Sequence, residues 1–217
     1  MVVAGIAAVA LGASACGSSS HKSTPSGSAG SGSTGGAAAG GGANAGSGGG
    51  GGGAPSALSA EAQSAATGDI PDNQVFLTFH NGHSGYSIKY PEGWTQKAAG
   101  RTVTFADKNN LVRIVVGSGS PPTSASVRAE LQSARTSNPT LTFRPPAAIR
   151  VSAGQAIKAT YTTRSTPNPV TGKRVVLVVD RYELARSGKR AVVDLGTPKG
   201  VDNVDAYRMM INSFRWG

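Results

Sequence analysis

The chain has 217 residues, with 21 Lys/Arg against 11 Asp/Glu, a formal charge of +10 and one cysteine. A single cysteine excludes an intramolecular disulfide and a multi-cysteine metal site. Residues 17–68 are almost entirely Gly, Ala, Ser and Thr, and every Trp, Tyr and Phe lies at or after Phe76. A core is therefore possible only over about 150 residues, which suits one domain.

The charge is as uneven as the aromatic content. Lys22 and Glu61 cancel, so the whole surplus falls on residues 69–217. Such a surplus favours polyanionic surroundings such as phospholipid headgroups, wall phosphates or nucleic acid, the alternative being a generally basic soluble surface.

Residues 2–13 (VVAGIAAVALGA) form an apolar run too short to span a bilayer but as long as a signal-peptide core. No Lys or Arg precedes it, which fits a start upstream of Met1. Ala13-Ser14-Ala15-Cys16 resembles the lipobox of bacterial lipoproteins, with Ala13 where that motif usually carries Leu. The resemblance implies diacylglycerol on the Cys16 thiol and cleavage after Ala15; the alternative is ordinary secretory cleavage with a free thiol. The expected organisation is a signal peptide over 1–15, a lipidated Cys16 with a linker to 68, and a globular domain over 69–217. The Gly/Ser/Ala linker lacks hydrophobic periodicity, and as a flexible coil some 50 residues reach about 40 Å. Residues 57–66 hold at most a short helical turn.

In the domain, residues 75–79 are a first strand, closed by the turn signal Asn81-Gly82. Tyr86, Ile88 and Tyr90 alternate with Ser87 and Lys89 in the two-residue period of a half-buried strand. Pro91-Glu92-Gly93 breaks it, and Trp94 opens the next. Strands over 101–106 and 111–116 extend this into an antiparallel meander. Val127, Leu131 and Ala134 define an amphipathic helix, capped from Ser124 or Ser126 and ended by Asn138-Pro139. An edge strand at 140–143 and strands near 149–151 and 156–163 follow. A long hairpin loop over 167–172 leads into 174–184, the most hydrophobic strand and the expected sheet centre. Ser187-Gly188 turns it into 189–195. A last helix carries Val204, Tyr207, Ile211 and Phe214 as its apolar stripe, and Trp216 closes the core.

Residues 85–94 (GYSIKYPEGW), then Val103-Thr104-Phe105, the strand at 111–116 and the closing helix with Ser213-Phe214 resemble the PsbP-like superfamily, which includes LpqN-type actinobacterial lipoproteins. The resemblance covers about residues 75–216. The order strands, helix, strands, helix makes the fold α+β, with about seven strands in an antiparallel sheet flanked by helices. The resemblance implies an α/β/α sandwich built on such a sheet. It implies no shared catalytic group and no cofactor, and its motif residues are structural.

Chemistry-bearing residues are sparse. His80 and His83 flank Asn81-Gly82 and are weak metal candidates needing a third ligand, with Asp72 nearby. Asp180, Glu183 and Asp194 sit on neighbouring strands as glycosidase carboxylates do, but Arg174, Arg181, Arg186, Lys189 and Arg190 crowd the same hairpin, and cross-strand ion pairs are the plainer account. Nucleic-acid binding lacks an aromatic platform. The expectation is a monomeric, non-enzymatic accessory module. It would be lipid-anchored at Cys16 on the extracytoplasmic membrane face, meeting an envelope protein or anionic wall polymer through Arg174, Arg181, Arg186, Lys189 and Arg190. The alternatives are a carrier of a small apolar or anionic ligand between sheet and helix and, more remotely, a hydrolase using His80 or His83.

Overall fold

The computed structural model describes residues 68–167 and 172–217. The signal peptide, Cys16, the linker up to residue 67 and most of the 167–172 loop lie outside the described residues.

Strands β1 (Phe76–Asn81) and β2 (Tyr86–Pro91) pair antiparallel through the register Phe79–Ile88. They do not continue into the larger sheet, as a simple meander would require. Their third partner is β11 (Arg215–Trp216), which adds to the other edge of β2 and completes a three-stranded sheet. The break comes at Gly93, whose φ of +87° is open to glycine and costly for other residues. There the chain leaves the small sheet, and Trp94 is buried beside the start of a second one.

The second sheet has eight strands. Its path begins with β3 (Thr95–Ala99), β4 (Thr102–Asp107) and β5 (Asn110–Ser118), which do form a meander. Helix α1 (Ser124–Ser137) then carries the chain to the far side. There β6 (Thr142–Phe143) and β7 (Ala147–Val151) both pair with β8 (Gly154–Arg164). β9 (Val176–Arg186) and β10 (Lys189–Pro198) return to the middle, where β10 pairs with β5. The central strand is therefore β10, with β9 beside it. Helix α2 (Val204–Ser213) precedes β11.

The core lies on both faces of the large sheet. On the first, Phe105, Ile114, Val193 and Leu184 meet Ile88 and Tyr86 of the small sheet and Tyr207, Met210 and Ile211 of α2. Aromatic rings lock that contact: Tyr90 stacks on Phe105 at 4.2 Å, and Phe79 meets it edge-on at 5.3 Å. On the second face, Val127, Leu131 and Ala134 of α1 bury against Ile157, Ala159, Leu177 and Val179. Thr123, not Ser124 or Ser126, is the N-cap of α1. Its hydroxyl accepts from the Ser126 N–H while the Ser126 hydroxyl accepts from the Thr123 N–H, a reciprocal box.

The architecture is α+β and sheet-dominated, with eleven strands and two helices among the described residues rather than about seven strands between helical layers. A small sheet takes much of the space that a helical layer would fill. The stripe of α2 also differs from its expected form: Met210 is fully buried, whereas Val204 is 59% exposed. Trp216 packs edge-on against Phe214 at 5.2 Å, closing the small-sheet side.

Candidate functional site

The expected basic surface divides in two. Alternation along β9 puts Arg181 and Glu183 on the second face, and the antiparallel register sets Arg181 opposite Asp194 on β10. Asp194 in turn lies opposite Arg113 on β5. Arg181 donates from Nε and Nη2 to Asp194 Oδ1 and Oδ2 at 2.7 and 3.0 Å, and Arg113 Nη2 donates to Oδ2 at 2.8 Å. Tyr161 lies under the Arg181 guanidinium at 5.3 Å. Burial opposes charge on Asp194, but the two guanidiniums outweigh it and hold the carboxyl below its usual range.

Arg190 extends the network upward by pairing with Glu183 and, at 2.6 Å, with Glu130 of α1. Burial pushes the Glu183 carboxyl up despite the bond from Arg190. Among the described residues its Oε1 has no hydrogen-bond partner, and it lies 3.9 Å from Arg181 Nη1. Arg181 is thus 4% exposed and cannot serve as a contact residue, and Arg190 is committed to two carboxylates. Both belong to an internal ionic seam under α1. Asp180 points to the opposite face, so Asp180, Glu183 and Asp194 do not converge as a carboxylate pair would.

The remaining expected cations lie outside. Arg186 is exposed at the β9–β10 turn, where Ser187 and Gly188 take φ of +50° and +75°. Lys189 is exposed and donates to the Ser84 carbonyl at 3.1 Å. The register brings exposed Arg101, before β4, and exposed Arg150, on β7, to the same end of the sheet. Arg174 lies toward the opposite end and donates to the Ser165 carbonyl at 2.8 Å. Sequence reading missed Arg101 and Arg150 because only strand register places them beside the hairpin.

The ion pairs also locate the surplus charge. Glu130, Asp180, Glu183, Asp194 and Asp205 are matched by Arg113, Lys158, Arg181, Arg190 and Arg208. Five bases pair with five acids, so these pairs leave the net +10 untouched.

His80 is exposed on β1 and His83 is exposed in the β1–β2 turn. Among the described residues no group of three or more His, Cys, Asp or Glu could hold a metal ion. No helix among them is long and apolar enough to cross a membrane.

A cleft of about 250 Å³ opens on the first face, between the start of α2 and strands β8–β10. Val178, Leu195, Pro198, Val201 and Val204 supply its apolar wall, and Lys158, Asp180, Tyr182 and Arg208 its polar side. Neither histidine lines it.

The sequence matches no protein-family model, and no curated protein matches it. Similar solved structures exist. The cyanobacterial PsbP protein (CyanoP) of Synechocystis sp. PCC 6803 is 14% identical, with a TM-score of 0.51 over 70% of this chain and 99% of that one. LpqN, involved in cell envelope biogenesis of Mycobacterium tuberculosis, is 14% identical, with a TM-score of 0.38 over 66% and 91%. The Saccharomyces cerevisiae Ran-binding protein Mog1p is 7% identical, with a TM-score of 0.44 over 65% and 95%. The CyanoP match spans almost all of that protein. The domain has a PsbP-like fold.

Proposed function

We propose that the protein is a non-enzymatic accessory module of the cell envelope, tethered by lipid on Cys16 and engaging an anionic partner through the basic end of its large sheet. The observation that carries this reading is the placement of charge. The acids beside the hairpin, Glu183 and Asp194, are buried in neutralised pairs, while Arg101, Arg150, Arg186 and Lys189 stand exposed at one end of the sheet. A rim of one sign attracts anions over a Debye length of about 8–10 Å. The sequence supports the location: an apolar run, Ala13-Ser14-Ala15-Cys16 and a Gly/Ser/Ala tract in succession.

The test is retention of envelope material by the full chain, washed at rising salt, against a variant carrying Arg101→Glu, Arg186→Glu and Lys189→Glu. One protein held at high salt by the parent and lost by the variant identifies a specific complex. Anionic polymer released steadily as salt rises identifies the polyanion itself. Equal retention by both proteins rejects this surface.

A further inference from the structure

We propose that the cleft between α2 and strands β8–β10 binds a small amphipathic anion, a medium-length aliphatic chain ending in one carboxylate. This goes beyond the accessory role, since it concerns the opposite end of the large sheet and a different class of ligand.

The apolar part rests on two exposures that packing leaves unexplained. Val204 falls on the side of α2 that faces the sheet, yet it is 59% exposed because the cleft separates it from the strands. Val176, on the same side of β9 as the cleft residue Val178, is 43% exposed. Val178, Pro198, Val201 and Val204 line the cleft as an apolar wall, and Val176 precedes Val178 on the same side of β9, beyond the cleft lining. At about 250 Å³ the cleft is smaller than the roughly 300–1,000 Å³ of pockets that enclose drug-sized ligands. It suits a narrow chain running along Val178, Pro198, Val201 and Val204.

The head group follows from hydrogen-bond accounting. Asp180 has both oxygens engaged, Oδ1 by the Thr160 hydroxyl at 2.6 Å and Oδ2 by Lys158 at 2.8 Å. Asn203 and Thr197 bond to each other and to Asn110, and the Tyr207 hydroxyl donates to the Gly196 carbonyl. These groups form a fixed wall.

Donors remain. An ammonium has three protons; Lys158 gives one to Asp180 Oδ2 and stands over the Tyr182 ring, 5.3 Å from its centroid, so it keeps protons to give. Among the described residues Arg208 pairs with Asp205, the two side chains being 66% and 91% exposed. Pairs so exposed are weak and yield readily to a better-placed anion. The cations of the cleft, Lys158 and Arg208, thus keep protons to give, while the Asp180 carboxylate already faces Lys158, which favours a head that only accepts, as a carboxylate does.

The experiment is calorimetric titration of sodium octanoate into the full chain carrying Cys16→Ser, with octyltrimethylammonium as the opposite-charge probe. Saturable one-to-one binding is expected, with Kd on the order of 0.1–1 mM for so small a ligand. Val204→Asp changes an exposed residue in the first turn of α2, where an acid is tolerated, and should weaken octanoate at least tenfold with an unchanged melting curve. Arg208→Glu should weaken it several-fold. Val75→Asp, an equally exposed valine outside the cleft, should leave it unchanged. The proposal is overturned by any of three results: no saturable binding at 5 mM octanoate, equal binding by the Val204→Asp protein, or equal affinity for the cationic probe.

Discussion

Arg181 and Asp194 face each other across the β9–β10 ladder and form a two-point bond, Nε to Oδ1 and Nη2 to Oδ2, with almost no solvent contact. A buried pair of this kind adds little net stability against an apolar substitute, but removing one partner leaves a charge without compensation. Asp194→Asn should therefore cost about 3–5 kcal/mol in urea unfolding. Arg113→Met should cost less, because the Arg113 side chain is 23% exposed and Arg181 keeps its bond to Asp194.

The two buried acids give opposite responses to pH. Asp194, held below its usual range, contributes stability that is present above its unfolded value of 3.8 and is lost as pH falls through its folded value. Glu183, raised by burial, contributes stability that is present below its unfolded value of 4.5 and is lost as pH rises through its folded value. Denaturation midpoints measured from about pH 2 to pH 8 should show Glu183→Gln removing the loss above 4.5. Asp194→Asn should remove part of the loss below 3.8.

Helix α1 is held by three apolar side chains, the Thr123–Ser126 box and the Glu130–Arg190 pair. Leu131 is fully buried, so Leu131→Ala should cost about 2–5 kcal/mol. Thr123→Ala should cost about 1 kcal/mol. Hydrogen exchange should place the added opening in α1 and leave β1 and β2 protected.

Gly93 allows the chain to pass from one sheet to the other. A Cβ there would meet nothing within 4 Å, so the penalty for Gly93→Ala is conformational rather than steric. A left-handed φ costs other residues about 1–2 kcal/mol, and a melting curve should show a loss of that size.

Cys16→Ser should move the protein from the membrane to the soluble fraction on cell fractionation, since stable anchoring by lipid depends on the acyl chains. Unchanged membrane association would reject the tether.

The strands were largely legible because Tyr86, Ile88, Val103, Phe105, Val112 and Ile114 repeat every second residue and are all buried. Their assignment to two sheets was not, since nothing local distinguishes the turn at Gly93 from a hairpin. Arg181 was misplaced on the surface because charge was weighed without register. A clue was present: Arg113, Arg181 and Asp194 sit among Val, Ile and Leu on three adjacent strands, and opposite charges at facing register positions point to a buried pairing. Val204 was assigned to the core because helical spacing gives direction and says nothing of how far away the opposing wall stands.

The long-range closures of this domain have a kinetic consequence. The Ile70 amide donates to Asn203 across 133 residues of sequence, the Lys89 amide to Ser213 across 124, and β11 completes the sheet that β1 and β2 begin. As the chain emerges N-terminus first, its opening hairpin has no third strand, and Tyr86 has no Phe214 to stack on, until α2 and β11 follow. Contacts between sequence-distant segments slow folding, toward milliseconds to seconds in sheet-rich domains. The completion of the small sheet is therefore set by the arrival of the last helix and the short strand after it.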